Sequence, residues 1–383
     1  MNNGTNAFRS MNNLINVNVT SDSLTTMYGM HANCINLVNA LSCGKNVVNM
    51  DHAFFYCTNL TGAPICGSNV ISMNNTYKNC YNLTGSPVCG PNVTDMGHTY
   101  SGCGNLTGSP VCGDNVTCMW QTYYYCTNLT GSPVCGNNVN HFSSTYWYCR
   151  NLTGTAVCGP NVTDMTYAYL GCRNLTTAVC GPKVVMFRGT YEHCSNLTVP
   201  ACGPNVVNME SAYNTCYHLT YAVCGNKVTG MINTYKLCNN ITVGICGPNV
   251  TNMNGAYWGC ENLITAACGP NVTNIRLAYG NCYNLRNVYI YSNDIADARS
   301  CFANKSYSVA MNIYVHKNSK SLKTLTNAVN QSNTMFSTYV SWSNKVSSYG
   351  YYYNNKVNAY IYPVDNVDAV RKANGDPDYM GNL

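Results

Sequence analysis

Twenty-five of the 383 residues are cysteine, and closely spaced thiols bind soft metals, form disulfides or act as nucleophiles. Zinc sites use pairs two to four residues apart, closed by further ligands. Here the cysteines follow one another at 9 and 14 residues, and later at 8 and 14. Disulfides fit poorly as well, because equivalent thiols in stacked units would lie about 4.8 Å apart with parallel Cβ vectors, while a bridge wants Cβ atoms at about 3.8 Å. The expectation is a set of reduced, packed thiols, with Cys80, Cys89, Cys103, Cys112, Cys126 and Cys135 as core members and neither metal nor cofactor. Cys118 lies outside the pattern and is expected to be a half-buried bystander. His31, His52, His98, His141, His193, His218 and His316 share no paired spacing with a carboxylate, and no phosphate loop or dinucleotide fingerprint is present. No catalytic residue is assigned, and the chain is expected not to be an enzyme.

Aromatic rings offer a different chemistry. Trp120, Tyr124, Tyr125, Trp147 and Tyr148 occupy irregular positions of two adjacent units, with Trp258 further along. They are expected to point outward, where rings stack on sugars or anchor a protein contact.

These residues sit in an internal repeat. One cysteine series steps by 23 from Cys34 to Cys172 and by 22 on to Cys282; a second steps by 23 from Cys43 to Cys158 and by 22 on to Cys268. The step shortens by one residue between Leu and Cys, from Asn151–Cys158 to Asn174–Cys180, so that stretch is a tolerant bend. Tyr, or occasionally Phe or His, precedes each first-series Cys by three. Met96, Tyr100, Cys103 and Leu106 fall at i, i+4, i+7 and i+10, which predicts a short helix or 3₁₀ turn. The stretches Leu-Thr-Gly-Ser-Pro-Val-Cys and Asn-Val-Thr predict very short strands, and Gly after every second-series Cys predicts a sharp bend. Asn columns such as Asn82, Asn105 and Asn69, Asn92 are expected to satisfy backbone groups at the corners. A unit this short cannot bury its apolar face alone, but stacked units share a core. Counting Phe8, Met11 and Leu14 as a first coil, about thirteen coils form an α/β solenoid over residues 1–304.

The stretch Asn249-Val-Thr-Asn-Met-Asn-Gly-Ala-Tyr-Trp-Gly-Cys-Glu-Asn-Leu263 resembles the BspA-type leucine-rich repeats of bacterial surface proteins, and the resemblance extends over about residues 4 to 300. It departs in the strand, where Pro-Val-Cys-Gly replaces the family's Leu-x-Leu. Such members are adhesins and surface proteins, with similar arrays in bacteriophage tails, so the resemblance implies a leucine-rich-repeat-like stack acting as a binding module. Asn312–Leu325 also looks like the closing segment of such arrays. Residues 305–383 are expected to form a small α+β cap over the last coil's open edge. Its predicted elements are a helix over Ser319–Val329, strands at Thr338–Trp342, Tyr349–Tyr353 and Val357–Tyr362, and a helix over Val367–Ala373.

Composition narrows the partners. Only 9% of residues are charged and the net charge of +6 is spread along the chain, which argues against nucleic acid. No run approaches the length of a membrane span, and the opening MNNGTNAFRS lacks the charged and apolar regions of a signal peptide. The expected role is a tail-associated receptor-binding protein of a phage or prophage, recognising a host surface glycan or protein. The alternatives are a cell-surface adhesin fragment or a self-assembling filament pairing through the open edge at Asn16–Thr20. Either way the chain would be made in a bacterial cytoplasm and act on a virion or cell surface.

Overall fold

The computed structural model describes residues 3–19, 21–39, 42–304, 309–331, 345–346, 352–354 and 359–376. The chain forms two compact units, Met1–Val184 with His193–Ser195, and Val185–Glu192 with Asn196–Leu383.

In the first unit each coil stacks on the next in parallel register. Isolated bridges link Asn49, Ser72, Asp95, Cys118, His141 and Asp164 in succession, and β1 (Gly154–Thr155) pairs with β2 (Leu175–Thr177). The core is the column set read from the sequence: Val93, Met96, Tyr100, Cys103 and Leu106 of one coil are fully buried, as are their equivalents in the neighbouring coils. Phe54, Tyr77, Tyr100, Tyr123, Tyr146 and Tyr169 stack ring on ring at 5.3 to 5.7 Å between successive centroids. Met11 of the first coil is 48% exposed, where Cys34 of the next coil is fully buried.

Of the short helix or 3₁₀ turn expected around Tyr100, the chain adopts a run of turns with 3₁₀-type bonds, and the backbone shows why it does not continue as a helix. Thr99, Ser101 and Cys103 donate their N–H groups back to Met96, His98 and Tyr100 at 3.0, 3.1 and 2.9 Å. The alternate N–H groups of His98, Tyr100 and Gly102 instead reach the next coil, at Trp120, Thr122 and Tyr124 carbonyls, at 2.8, 2.9 and 2.7 Å. A helix aligns all its N–H groups along one axis, so this alternation excludes one. It is achieved by left-handed residues, His98 at φ 55° and Gly102 at φ 83°, repeated in most coils.

The strand side is thin for a related reason. The Tyr100 hydroxyl donates to the Val88 carbonyl at 2.7 Å and accepts from the Val88 N–H at 3.0 Å, and Tyr77, Tyr123, Tyr146 and Tyr169 treat Ile65, Val111, Val134 and Val157 in the same way. A buried phenol thus takes the place of an inter-strand ladder.

In the second unit a seven-stranded sheet runs in the order β3-β4-β5-β6-β9-β8-β7. Its strands are β3 (Val243–Ile245), β4 (Thr265–Cys268), β5 (Asn287–Ile290), β6 (Met311–His316), β7 (Lys345–Val346), β8 (Tyr352–Asn354) and β9 (Ala359–Val364). The first five neighbours are parallel and the last two pairings antiparallel. The helices are α1 (Ser321–Gln331) and α2 (Val367–Ala373), the latter capped by the Asn366 side chain on Ala369 N–H. Both predicted helices are therefore present, while the strand predicted at Thr338–Trp342 lies outside the described residues. Besides extending the sheet edge, the C-terminal segment covers a sheet face. Val367 packs with Ala267 and Tyr289, and Asp376 accepts from Thr265, Asn287 and Tyr289 side chains. The buried Arg371 guanidinium ties Asp368, the Tyr291 hydroxyl and the Asp376 carbonyl together. No helix is long and apolar enough to cross a membrane.

Candidate ligand-binding face

The coils can be compared with one another. Core columns barely change, and on the strand side the column Thr84, Thr107, Thr130, Thr153, Thr176 is invariant, its hydroxyls from Thr107 on accepted by the preceding coil's glycine carbonyl at 3.3 to 3.5 Å. Change is concentrated on the turn side, in five columns per coil. From the coil of Cys103 to that of Cys172 one column reads His98, Gln121, Ser144, Tyr167 and another Gly102, Tyr125, Tyr148, Gly171.

Those two columns are also the left-handed ones. Tyr125 stands at φ 59° and Tyr148 at φ 60°, where Gly102 and Gly171 stand at 83° and 75°. A side chain with a Cβ costs roughly 1 kcal/mol or more in that region relative to glycine. The fold accepts glycine or asparagine there, as at Asn79 (φ 63°), so bulky rings are not demanded by the backbone.

The expected aromatic residues are brought together in part. Trp120 is 46% and Tyr125 40% exposed, while Tyr124, Trp147, Tyr148 and Trp258 are half-buried rather than fully outward, because each leans on a neighbouring coil. Tyr125 stacks on Tyr148 with centroids 5.0 Å apart, and Tyr124 touches Tyr125 at 4.8 Å and Trp147 at 5.5 Å. The Tyr148 ring fills the space where a Cβ on Gly171 would sit, and Arg150 lies 5.1 Å from its centroid. Trp120 lies at the edge of the group, against His98 at 4.5 Å. Trp258 belongs to the second unit, where it lies over Gly280 and carries the Lys236 ammonium 5.0 Å from its ring. Among the described residues the indole N–H of Trp147 is buried and finds no acceptor. Sequence reasoning missed His98, Arg150 and Tyr167, the last touching Trp147 at 4.8 Å. The available signal was columnar: each stands where its equivalents vary.

The cysteine columns have other duties. Cys103 donates its thiol to the Tyr77 carbonyl at 2.9 Å and Cys126 to that of Tyr100 at 3.0 Å; Cys80 repeats the contact on Phe54. Burial pushes the Cys80, Cys103 and Cys126 thiols far up and holds them as S–H. In the second series burial pushes Cys112 up to about 11 and Cys135 up to about 12, and Cys89 in the same direction. All 25 are free thiols, and Cys118 is half-buried. Among the described residues no three His, Cys, Asp or Glu side chains converge as metal ligands. Asn92 and Asn115 donate across the corners to Ser68 and Pro91 carbonyls at 2.9 and 3.0 Å. On the turn face burial lowers His98 to about 4, with Lys78 nearby adding to the effect, so its imidazole is neutral at pH 7.

No protein-family model matches the chain, and no curated protein matches it. Solved structures do. A leucine-rich repeat protein from Bacteroides ovatus superposes with a TM-score of 0.51 at 16% identity, over 74% of this chain and 80% of that one. A leucine-rich cell surface protein from Faecalibacterium prausnitzii gives 0.41 at 18% identity, over 72% and 79%. The fold is that of a leucine-rich-repeat-like solenoid with a small C-terminal cap, in keeping with the resemblance of its coils to BspA-type repeats.

Proposed function

We propose that the chain is a non-enzymatic binding module whose turn face recognises a glycan on a host surface, as the receptor-binding part of a tail-associated or cell-surface protein. One observation carries this: the coils diverge on the turn face, and they place Tyr125 and Tyr148 there in left-handed positions that the backbone fills more cheaply with glycine. Strain that the ring contacts of Tyr125 and Tyr148 offset, with no net gain in stability, is a mark of function. Adjacent exposed rings on a rigid scaffold suit sugar rings, which present apolar C–H faces to aromatic surfaces. The tail-associated form of the reading rests on the resemblance of the repeats to arrays in bacteriophage tails and on the Asn- and Tyr-rich C-terminal segment.

Labelled protein on a panel of bacterial and host surface glycans tests the reading. Retention of a defined glycan subset, lost with Trp120→Ala and Tyr125→Asn, supports it. Retention unchanged by both substitutions, or no retention at all, removes the turn face as the binding surface.

A further inference from the structure

Two features of the aromatic face carry the reading further, and the argument rests on that reading. First, the ring stack is unfinished. Tyr125 lies on Tyr148 with one face, and the neighbouring coil on its other side has Gly102 in the same column. Among the described residues no ring stacks on that other face. Asn79, one coil further, leans over Gly102, its amide oxygen 2.5 Å from where a Cβ would be. The exposed part of the Tyr125 ring is thus flanked by the Asn79 carboxamide, which fills the space over Gly102.

Second, the face is unevenly charged. Arg150 and Arg173 occupy the same column of consecutive coils, both exposed, and among the described residues neither has a carboxylate partner. Between Gly97 and Arg173 no Asp or Glu occupies the columns of Gly97, His98, Ser101, Gly102 and Gly104, and the acidic residues of that stretch are Asp114 and Asp164 in other columns. In a chain with only 9% charged residues, two adjacent unpaired guanidiniums beside a ring stack are not a generic solvated surface. Guanidinium forks match carboxylates and also lie on ring faces, as Arg150 does on Tyr148.

We propose that this face binds a uronate-bearing polysaccharide chain, one pyranose stacking on the exposed part of the Tyr125 ring beside the Asn79 carboxamide and the carboxylates of later units pairing with Arg150 and Arg173. The stack supplies contact area and the arginines supply the preference for an acidic chain. The stacking rings and the guanidiniums lie on successive coils, so the ligand is an extended chain and not a single sugar.

The test uses the full chain and immobilised polygalacturonate, alginate and hyaluronan, each beside its carboxyl-reduced, neutral counterpart. At least one acidic polymer should bind roughly fivefold more tightly than its neutral form at low salt, the effect of two exposed ion pairs. The double variant R150Q/R173Q should bring the two affinities together, and Tyr125→Asn, which installs the residue found at Asn79, should weaken both. Equal binding of acidic and neutral chains that is still lost with Tyr125→Asn overturns the acidic preference and leaves the aromatic binding face standing. Acidic binding unaffected by Tyr125→Asn is plain charge attraction and overturns the stacking subsite. Binding to none of the six polymers overturns the proposed ligand class, while the wider glycan panel decides the binding face on its own.

Discussion

The hydroxyl of Tyr100 is hydrogen-bonded to both the N–H and the carbonyl of Val88, at 3.0 and 2.7 Å. That pair of bonds satisfies backbone groups which a leucine-rich repeat ordinarily pairs between strands. Tyr279 is the exception: the residue twelve before it is Ala267, which lies inside β4 and is paired on both sides, and among the described residues the buried Tyr279 hydroxyl has no partner. The phenol is left over where its strand is paired on both sides, whereas Tyr257 still donates to the Ile245 carbonyl at 2.8 Å in the edge strand β3.

Opposite outcomes follow for one substitution. Tyr100→Phe strands a buried N–H and carbonyl and should cost about 1 to 3 kcal/mol. Tyr279→Phe removes an unsatisfied hydroxyl and should leave stability unchanged or raise it. Urea unfolding midpoints of the two variants check this, and equal losses would show that the hydroxyls do not substitute for the ladder.

This relationship also marks what could be read in advance. The buried columns of Met, Tyr, Cys and Leu were legible because burial recurs with the period of the coil, and α2 because Val367 and its neighbours carry a cap and an apolar spacing. The choice between a short helix and a 3₁₀ turn was not legible, because i, i+4, i+7 spacing in Met96, Tyr100 and Cys103 arises from any coil that buries those residues together. The deciding signal lay in columns where Gly alternates with Asn, His and Tyr, such as Gly102, Tyr125 and Asn79, a pattern that left-handed residues leave. The role of Tyr rather than Phe in the ladder depends on a contact twelve residues away, which no local pattern reveals. In the candidate face the aromatic residues were visible individually, but Arg150 and His98 join them only through stacking.

His31 is a foreign member of the ring ladder. It lies between Phe8 and Phe54, each 5.2 Å away, is 1% exposed, and among the described residues its Nδ1 has no partner. Burial lowers its pKa from 6.5 to about 4. The folded state disfavours the proton, so the associated stability is complete above about pH 6.5 and is lost as pH falls towards 4. His31→Phe, the residue its neighbour Phe54 already uses, should raise stability and flatten the decline between pH 6.5 and 4. Thermal melts across that range decide it, and an unchanged slope would mean another group controls the acid limb.

Thiol reactivity should be suppressed throughout the folded chain. Burial pushes Cys57 and Cys66 up to about 12, and Cys103 and Cys126 further still, so the nucleophilic thiolate is scarce at pH 8. Iodoacetamide at that pH should label few sites in native protein and all 25 after denaturation without reductant. Rapid native labelling of Cys103 would mean that the coils open locally; a shortfall of thiols after denaturation would mean that disulfides exist.

The last expectation separates structure from function at a single residue. Tyr125→Asn gives up one stacked ring contact with Tyr148, worth about 0.5 to 1.5 kcal/mol, and gains a residue that tolerates φ near 59° better by a similar amount. The two changes offset, so the melting temperature should move little, by less than about 1 kcal/mol in stability. Glycan binding, by contrast, should fall sharply, because the open face of the ring is removed. A loss of 2 kcal/mol or more would show that Tyr125 is retained for packing, and the strained geometry of the turn face would then carry no functional meaning.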